Sequence, residues 1–459
     1  MSLPTECLLP LTEPVATLAE HRATGGGEAL ATALREGPEA VVEKVRAAGL
    51  RGRGGAGFPT AAKWDTVRAA ADGTTYVVCN AAEGEPGTFK DRYILRRNPY
   101  QVLEGLAIAA HAVGASRAVV AIKATYAPEI DRLRRAVEEM QAADALGPVP
   151  VQLVLGPDEY LFGEEKALVE VVEGGEPLPR IFPPYQIGLF AKRDARNPTA
   201  VNNVETLAHV ANIVCSGPER FRANGTEDSP GCTVYTVSGD VRRPGLYELP
   251  LGIPMRMLVE LVGGGPANGG RIKAVVPGAS AGLLTADGLD TALDFGPMRD
   301  AGSGLGSAGF VVYDDSACIV AAVLAYARFL SVESCAQCPA CKAGTGDIAE
   351  ALERIECGDG SEGDLDAIRA KCKTVAGGRR CALPLGAETL VRSALEAFAA
   401  EFEAHLGRPC PLPRDLPVPK IADFDEAAGR FTYDDAYTRK RPDWTYAPAG
   451  GREEPDERR

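Results

Sequence analysis

The segment SCAQCPACKAG carries three cysteines at a fixed interval, Cys335-x2-Cys338-x2-Cys341. Three thiolates on one tight turn can wrap a face of an iron–sulfur cube, with the turn's backbone N–H groups pointing at the sulfides. A fourth ligand has to come from elsewhere. Cys381, in GGRRCALPLG, follows at the start of a helix, and Cys372 and Cys357 compete with it on spacing alone. Structural zinc is the plainer use of four cysteines. Zinc sites, however, are usually built from two separated Cys-x2-Cys knuckles, whereas three ligands on one turn is the ferredoxin habit. Of the 12 cysteines, seven fall between 318 and 381. A metal site gathers cysteines in this way and a disulfide framework spreads them out. The remaining cysteines read as small buried hydrophobes.

A second set of residues points to a phosphate-bearing ligand. RGRGGAGFPTAAKW contains Gly52-x-Gly54-x-x-Gly57. That string belongs after a strand, but VVEKVRAAGL before it reads as a helix, so this is not the ordinary first turn of a Rossmann unit. A glycine loop entering a helix can still present N–H groups to a phosphate or an aromatic ring, the alternative being a plain turn. In NAAEGEPGTFKDR, Glu83 and Glu85 follow a strand's end, where α/β proteins bind ligands, although such acids usually form a solvated loop. Gly163, Glu164 and Glu165 precede a helix whose dipole the acids could simply offset. Asn202, Asn203 and Glu205 in NNVET resemble a capping arrangement.

These residues need a scaffold. The 459 residues allow roughly three domains, and 45% hydrophobic with 24% charged residues is the profile of a soluble globular protein. The chain is long enough to bury its own core without disulfides. Lys and Arg total 49 against 63 Asp and Glu, a net charge of −14. That balance argues against general nucleic-acid binding and against a polybasic grip on anionic membranes. The best apolar run, Ala317 to Leu330, contains Arg328 and is too short for a membrane span. The start, MSLPTECLLP, has no basic stretch ahead of its apolar residues. A cytoplasmic protein with reduced thiols is expected.

From 1 to 231 helix and strand patterns alternate. A polar start leads to a helix at PEAVVEKVRAAGL, the glycine turn, a helix at TAAKWDTVRAAA and a buried strand at TTYVVCN. A long helix from Pro99 to Val113 follows, with Val102, Leu106, Ala109, Ala110 and Val113 at helical spacing. Then come a strand at RAVVAIK, the amphipathic helix PEIDRLRRAVEEMQAA and a strand at VPVQLVLG, an α/β pattern with a largely parallel sheet. From 232 to 315, TVYTVSG and LYELPLG are short strands joined by a turn containing Pro244-Gly245. With the helix PMRMLVELVGG and the strands IKAVVPG and FVVYDD they make a small α+β unit of β-grasp type, with nothing in it that looks catalytic. From 316 to 410 the segments ACIVAAVLAYARFLSVES, TGDIAEALERIECG, DLDAIRAKCKTVA and AETLVRSALEAFAAEFEAHL fit a helical bundle linked by cysteine segments. Residues 411–459 form a charged tail with seven prolines. Its aromatic middle (Phe424, Phe431, Tyr433, Tyr437, Trp444, Tyr446) is expected to dock as a strap, and the last stretch, APAGGREEPDERR, to be disordered.

Taken together, RGRGGAGFPTAAKW, EGEPGTFKDR, EYLFGEEKALVE, VNNVET, SCAQCPAC and RCALPLGA stand in the order found in one family. The chain resembles the flavin- and NADH-binding subunit of respiratory complex I, a module that also serves as the diaphorase subunit of NAD-linked hydrogenases and formate dehydrogenases. The likeness spans about residues 30 to 400. It implies a multidomain α/β protein: a Rossmann-like FMN- and NADH-binding domain, a β-grasp (SLBB-type) domain, and a C-terminal helical bundle carrying one [4Fe–4S] cluster. It implies that Gly52, Gly54, Gly55, Lys63, Asn80, Glu83, Tyr160, Gly163, Glu164, Asn202, Asn203 and Thr206 line the flavin. Phe58 and Phe182 would stack on NADH, and Glu85 and Glu165 would contact it, Glu165 also repelling the extra phosphate of NADPH. Cys335, Cys338, Cys341 and Cys381 would hold the cluster.

Four positions depart from the family pattern: Ala82 for an aspartate, Thr66 for a bulkier apolar residue, Lys166 for a small one, and the order Pro339-Ala340 within the cluster turn. The activity implied is that of an NADH dehydrogenase (diaphorase) subunit passing electrons to a partner, typically a thioredoxin-like [2Fe–2S] protein, in a larger redox complex. Such a complex would leave the chain cytoplasmic, or peripheral to the inner face of a membrane. The alternatives are the diaphorase subunit of an NAD-dependent formate dehydrogenase or hydrogenase and, in a different class, a non-enzymatic nucleotide-binding or assembly scaffold with a decayed flavin site.

Overall fold

A computed structural model describes residue 9 and residues 13–378, 380–412 and 414–448. Most of the first ten residues, Cys7 among them, and all of 449–459 lie outside this range. So do the reading of the start as leader-free and most of the stretch expected to be disordered.

Four parallel strands carry the first part of the chain: β1 (Tyr76–Ala81), β2 (Arg117–Lys123), β3 (Val151–Gly156) and β4 (Thr199–Asn203), in the order β3-β2-β1-β4. The runs of the two inner strands β1 and β2 are apolar nearly throughout because both faces are covered, whereas edge strand β3 is partly exposed and β4 is mostly polar. Val77, Cys79, Ala81, Val120 and Ile122 join one core, whereas Val78, Val119, Ala121 and Val201 join another. The first core holds α1 (Leu18–Ala23), α2 (Glu28–Glu36), α3 (Pro38–Ala48), α4 (Thr60–Ala70), α5 (Lys90–Arg97), α6 (Pro99–Val113) and α7 (Ala127–Ala142). The second is closed by α8 (Glu165–Val172) and the 3-10 turn Tyr160–Gly163. After β4 come α9 (Val204–Ser216) and α10 (Pro218–Arg222), both against the first core. Buried α6 meets α9 at Gly105, where a Cβ would collide with the Leu207 carbonyl.

Sequence patterns here find β1 to β3 and the long helices α3, α4, α6 and α7, but they give no strand at β4, where NNVET reads only as a helix cap. They miss α1 and α2, which lie in the stretch expected to be a polar start, and they miss α5. KDR reads as the end of a loop, but Lys90, Asp91 and Arg92 are buried, Lys90 pairing with Asp91 beside it and with Glu205, and Arg92 with Glu83.

The second unit is a five-stranded sheet, β6-β5-β9-β7-β8, formed by β5 (Cys232–Gly239), β6 (Gly245–Pro250), β7 (Ile272–Val276), β8 (Leu284–Thr285) and β9 (Gly309–Asp314). Strands β5 and β6 are an antiparallel hairpin and β5 and β9 are parallel. The expected helix between them is a π-helical turn at Met257–Val262, and α11 (Phe295–Asp300) precedes β9. The third unit is a bundle of α12 (Ile319–Glu333), α13 (Pro339–Glu356), α14 (Glu362–Cys372), α15 (Leu383–Ala397) and α16 (Ala399–Ala404), around Leu330, Leu352, Ile355, Leu390 and Val391. The last expected helix is broken in two at Phe398. Cys215 and Cys357 are exposed, contrary to the default of buried cysteines.

The tail docks. A hairpin of β10 (Ile421–Asp425) and β11 (Arg430–Tyr433) lays Phe424 and Phe431 against Phe89, and Lys420 pairs with Asp158 at 2.5 Å. Further on, Tyr437 and Lys440 both reach buried Glu333 at 2.9 Å, and the Trp444 indole donates to the Val332 carbonyl. Among the described residues no helix is long and apolar enough to cross a membrane.

Candidate functional site

The chain leaves β1 toward β2 on one side of the sheet, and β4 returns on the other side. The carboxyl ends of β1 and β4 are therefore the switch point at which open α/β sheets form a ligand crevice. Asn80 and Asn203 face each other there in register. The glycine loop lies across this end: Gly54 packs against Asn203, and the Arg53 amide donates to Thr206 Oγ1 at 2.9 Å. Gly57 has φ +63, and a side chain there would strike the Phe295 ring of the second unit. Arg53, which no sequence pattern singled out, anchors the loop from beneath by donating to the carbonyls of Arg51, Pro230 and Cys232.

The crevice's polar side chains are already bonded to one another. Asn80 donates to the Gly163 carbonyl at 2.7 Å, which ties β1 to the 3-10 turn. The Trp64 indole donates to Asn202 at 3.0 Å. Asn203 caps α9 by accepting from the Glu205 amide and also donates to Asp91. Lys63 bonds Glu165 at 3.1 Å and the Val201 carbonyl at 3.0 Å. Glu164 caps α8, accepting from the amides of Lys166 and Ala167. Burial pushes its carboxyl up to about 7, with Lys166 pulling the other way.

Neither acid of the β1 loop is solvated. Glu83 accepts from the Asp91 amide and from Arg92, both at 3.0 Å, so its carboxylate faces inward, and its carbonyl accepts from the Tyr126 hydroxyl. Glu85 accepts from the Tyr160 hydroxyl at 2.6 Å and from the Ala279 amide at 2.6 Å. Burial raises its carboxyl above the usual range, and those donors draw it back. Ala279 belongs to the β-grasp unit, so that unit, expected to be inert, supplies a wall of the crevice.

Beneath the crevice lies a group missed from sequence. Lys90 is fully buried and meets Asp91 at 2.7 Å and Glu205 at 2.9 Å. Burial drives Asp91 up to about 7 despite Lys90. By contrast Phe58 and Phe182 stand about half exposed, at 52% and 51%. Phe182 lines a cleft of about 390 Å³ with Thr66, Ala70, Tyr185, Gln186, Ile187 and Arg196.

The second part of the site is a cavity walled by Cys335, Cys338, Cys341 and Cys381 together with Leu161, Ser334, Arg380, Leu383 and Pro384. Cys338 caps α13, and Pro339 takes the first helical position, where its missing N–H costs nothing. That is an ordinary reason for the unusual order Pro339-Ala340. Cys381 lies just before α15. Cys372 is buried elsewhere in the bundle core and Cys357 is exposed, so Cys381 is the cysteine that the fold brings to the triplet. Burial drives the Cys381 thiol up to about 12 and raises Cys341. Such thiols give up their protons to a metal that replaces it. A lone tetrahedral ion would draw four ligand atoms to within about 3.8 Å of one another. Among the described residues, ligand atoms pack to within 4.8 Å only in a different group, Cys318, Glu356, His405 and Cys410. The spread of the four thiols therefore suits a cube better than a single zinc. Lys166 touches this site as well: its ammonium donates to the Arg380 carbonyl next to Cys381.

Three stretches of the chain match known families. Residues 45–212 match the Nuo51 FMN-binding domain, 234–282 the SLBB domain, and 321–405 the NADH-ubiquinone oxidoreductase-F iron-sulfur binding region. The second F-type subunit of the NADH-quinone oxidoreductase of Rhizobium meliloti is 45% identical over 86% of this chain and 96% of its own length. The NADP-reducing hydrogenase subunit HndC of Solidesulfovibrio fructosivorans is 36% identical over 86% and 82%. Among solved structures, a chain of an NAD+-reducing [NiFe]-hydrogenase in the H2-reduced state superposes with a TM-score of 0.76 at 37% identity, covering 85% of this chain. This chain spans 65% of that hydrogenase chain. On sequence, domain content and fold, the chain belongs to the family of F-type subunits of NADH-quinone oxidoreductase.

Proposed function

We propose that the chain is the NADH-oxidising subunit of a multisubunit redox complex and that the crevice and the thiol cavity are its two working sites. The observation that carries this reading is the turn Tyr160–Gly163. Leu161 walls the thiol cavity, while Tyr160 bonds Glu85 and Gly163 accepts from Asn80 at the crevice. One turn of four residues touches both sites and so joins them through a single short stretch of backbone.

When bound, FMN accepts a hydride from NADH as a two-electron unit and yields single electrons to a [4Fe–4S] cluster. The chain holds and orients these groups. Gly52, Gly54 and Gly55 let the loop approach a flat ring closely, and Lys63, Asn80, Tyr160, Gly163, Glu164, Asn202, Asn203 and Thr206 fix the pocket around it. Glu83 contributes by keeping the loop in place, through its Arg92 pair and through the Tyr126 hydroxyl on its carbonyl. Phe58 and Phe182 offer exposed aromatic faces to NADH, and Glu85 and Glu165 offer carboxylates to its hydroxyls. Glu165 disfavours a further phosphate by charge. Cys335, Cys338, Cys341 and Cys381 hold the cluster. No side chain has to act as nucleophile or acid–base pair.

The domain limits that go with this reading are 1–231 for nucleotide binding, 232–315 for the β-grasp unit, 316–410 for the cluster and 411–459 for the tail. The electron acceptor is a thioredoxin-like [2Fe–2S] protein, and the complex keeps the chain in the cytoplasm or against the inner face of a membrane. A second reading runs the same chemistry toward NAD+ reduction, as in a hydrogenase or formate dehydrogenase. It is supported by the likeness to the NAD+-reducing hydrogenase chain.

The test is an absorption spectrum of the reconstituted protein before and after NADH. Bleaching of both flavin and cluster bands is expected. A protein that holds no flavin, or a cluster that NADH leaves oxidised, overturns the proposal.

A further inference from the structure

A second group of metal-binding side chains lies in the helical bundle, at its own site apart from the cluster cavity. Cys318 caps the start of α12, Glu356 ends α13, His405 closes α16, and Cys410 opens the tail. Their ligand atoms all lie within 4.8 Å of one another. Cys318 Sγ is 3.3 Å from His405 Nε2 and 3.5 Å from a Glu356 oxygen, and that oxygen is 3.5 Å from His405 Nε2. A tetrahedral site with zinc bond lengths of about 2.0–2.3 Å has edges of about 3.3–3.8 Å. The three distances therefore describe one face of such a tetrahedron, with Cys410 at the remaining corner.

The imidazole is also set up as a ligand. His405 is fully buried, and its Nδ1 lies 2.7 Å from the Glu401 carbonyl. Donation there fixes the tautomer and leaves the Nε2 lone pair aimed at the two sulfurs, the supporting hydrogen bond common to metal-bound histidines. Glu401 is held in turn by Lys273 and by the Ile319 amide, next to Cys318. Cys318 Sγ accepts from the Ala321 amide at 3.4 Å, which holds the sulfur in place at the start of the 15-residue α12.

We propose that Cys318, Glu356, His405 and Cys410 bind one zinc ion that is structural and separate from the iron–sulfur cluster. Two thiolates, one imidazole and one carboxylate close all four positions, so the ion has no open site for chemistry. Its ligands come from the ends of three helices and from the first residues of the tail. The ion therefore pins the tail where it leaves the bundle, upstream of the Tyr437 and Lys440 contacts to Glu333. Glu333 in turn accepts from the Tyr160 amide at 2.9 Å.

The experiment uses the full chain, purified without oxygen, with its cluster in place, from cells grown with added zinc. Metal analysis should find about one zinc per chain beside the iron. Zinc X-ray absorption should show a shell of two sulfurs and two lighter atoms. Cys410→Ser, near the surface, and Cys318→Ser should lose the zinc and keep the iron, and Cys338→Ser should do the reverse. The proposal is overturned by protein that holds iron but no zinc, by zinc that persists in both the Cys318 and Cys410 variants, or by a Cys318–Cys410 disulfide in protein never exposed to oxygen. Loss of zinc together with iron from the mild Cys410→Ser variant also overturns it, because the two sites would then not be separate.

Discussion

The thiol cavity and the nucleotide crevice are built on opposite principles. In the cavity four side chains of one type converge with few other partners. Ser334 lies 3.2 Å from Cys341 and the Gly378 carbonyl 3.2 Å from Cys338, and the rest of the wall is mainly apolar. In the crevice almost every candidate side chain is committed before any ligand arrives: Asn202 to Trp64, Asn203 to Glu205 and Asp91, Lys63 to Glu165, Glu85 to Tyr160. A cavity of uncommitted ligands should fail completely when one is removed. A network of committed groups should fail by degrees, through the partner left unpaired.

The sharpest test is Cys381→Ala beside Cys372→Ala. The first should abolish the cluster, leaving chain-bound flavin that NADH still bleaches with no onward transfer. The second should keep full iron content, its cost being confined to bundle stability. Iron and electron paramagnetic resonance on both variants decide the matter, and loss of iron from the Cys372 variant would remove the distinction.

A smaller effect is expected at Glu164. Burial places its carboxyl at about 7 in the folded chain against 4.5 for a free one. The folded state thus disfavours the charged form, so this contribution favours folding at low pH and is lost as pH rises from about 4.5 through 7. Glu164→Gln should flatten that loss. By urea unfolding of the flavin-free protein, the native chain should fall relative to the variant by about 3 kcal/mol between about pH 4.5 and pH 8. Parallel curves would mean that Glu164 stays ionised on its cap.

These two regions also differ in how far the sequence discloses them. The cysteine triplet is local, and its spacing alone suggests a metal. Strands β1 to β3 are equally legible, since runs such as RAVVAIK are apolar on both faces, whereas β4, TAVNN, is short and polar and is not. Nor is helix α5, because its first charges are buried in pairs with Glu83 of the preceding loop and Glu205 of α9, so a charged stretch that reads as loop is helical and inside. The part played by Ala279 is invisible for a similar reason: it acts through a backbone amide, which any residue would supply. The Cys318–His405 pair is hidden by a separation of 87 residues. The break at Phe398 and the hairpin at 421–433 depend on packing against other elements. The crevice is legible through the ordered motifs of a family, whereas single residues such as Glu83 have a bland structural use that spacing does not separate from a functional one.

Within the network, Tyr160→Phe removes one donor from Glu85 and keeps the ring. An unpaired buried carboxylate costs roughly 1–2 kcal/mol, so if Glu85 contacts NADH as proposed, KM should rise about tenfold. The turnover number should move much less, since Ala279 still holds the other oxygen. An unchanged KM would assign Glu85 to the fold rather than to the nucleotide.

The smallest effect tests whether the two regions feel each other at all. Lys166 sits between them, its ammonium on the Arg380 carbonyl and 3.7 Å from Glu164. A fixed cation beside the cavity stabilises the extra electron of a reduced cluster, so Lys166→Met should lower the cluster's midpoint potential. Without Lys166 the Glu164 carboxyl, already at about 7, rises further and takes up a proton, which offsets part of the lost positive charge and keeps the shift to about 60 mV, a tenfold change for a one-electron couple. In the Glu164→Gln background the offset is gone, so the same lysine substitution should produce the larger drop. If the potential is indifferent to Lys166 in both backgrounds, the crevice and the cavity are joined only by the Tyr160–Gly163 turn.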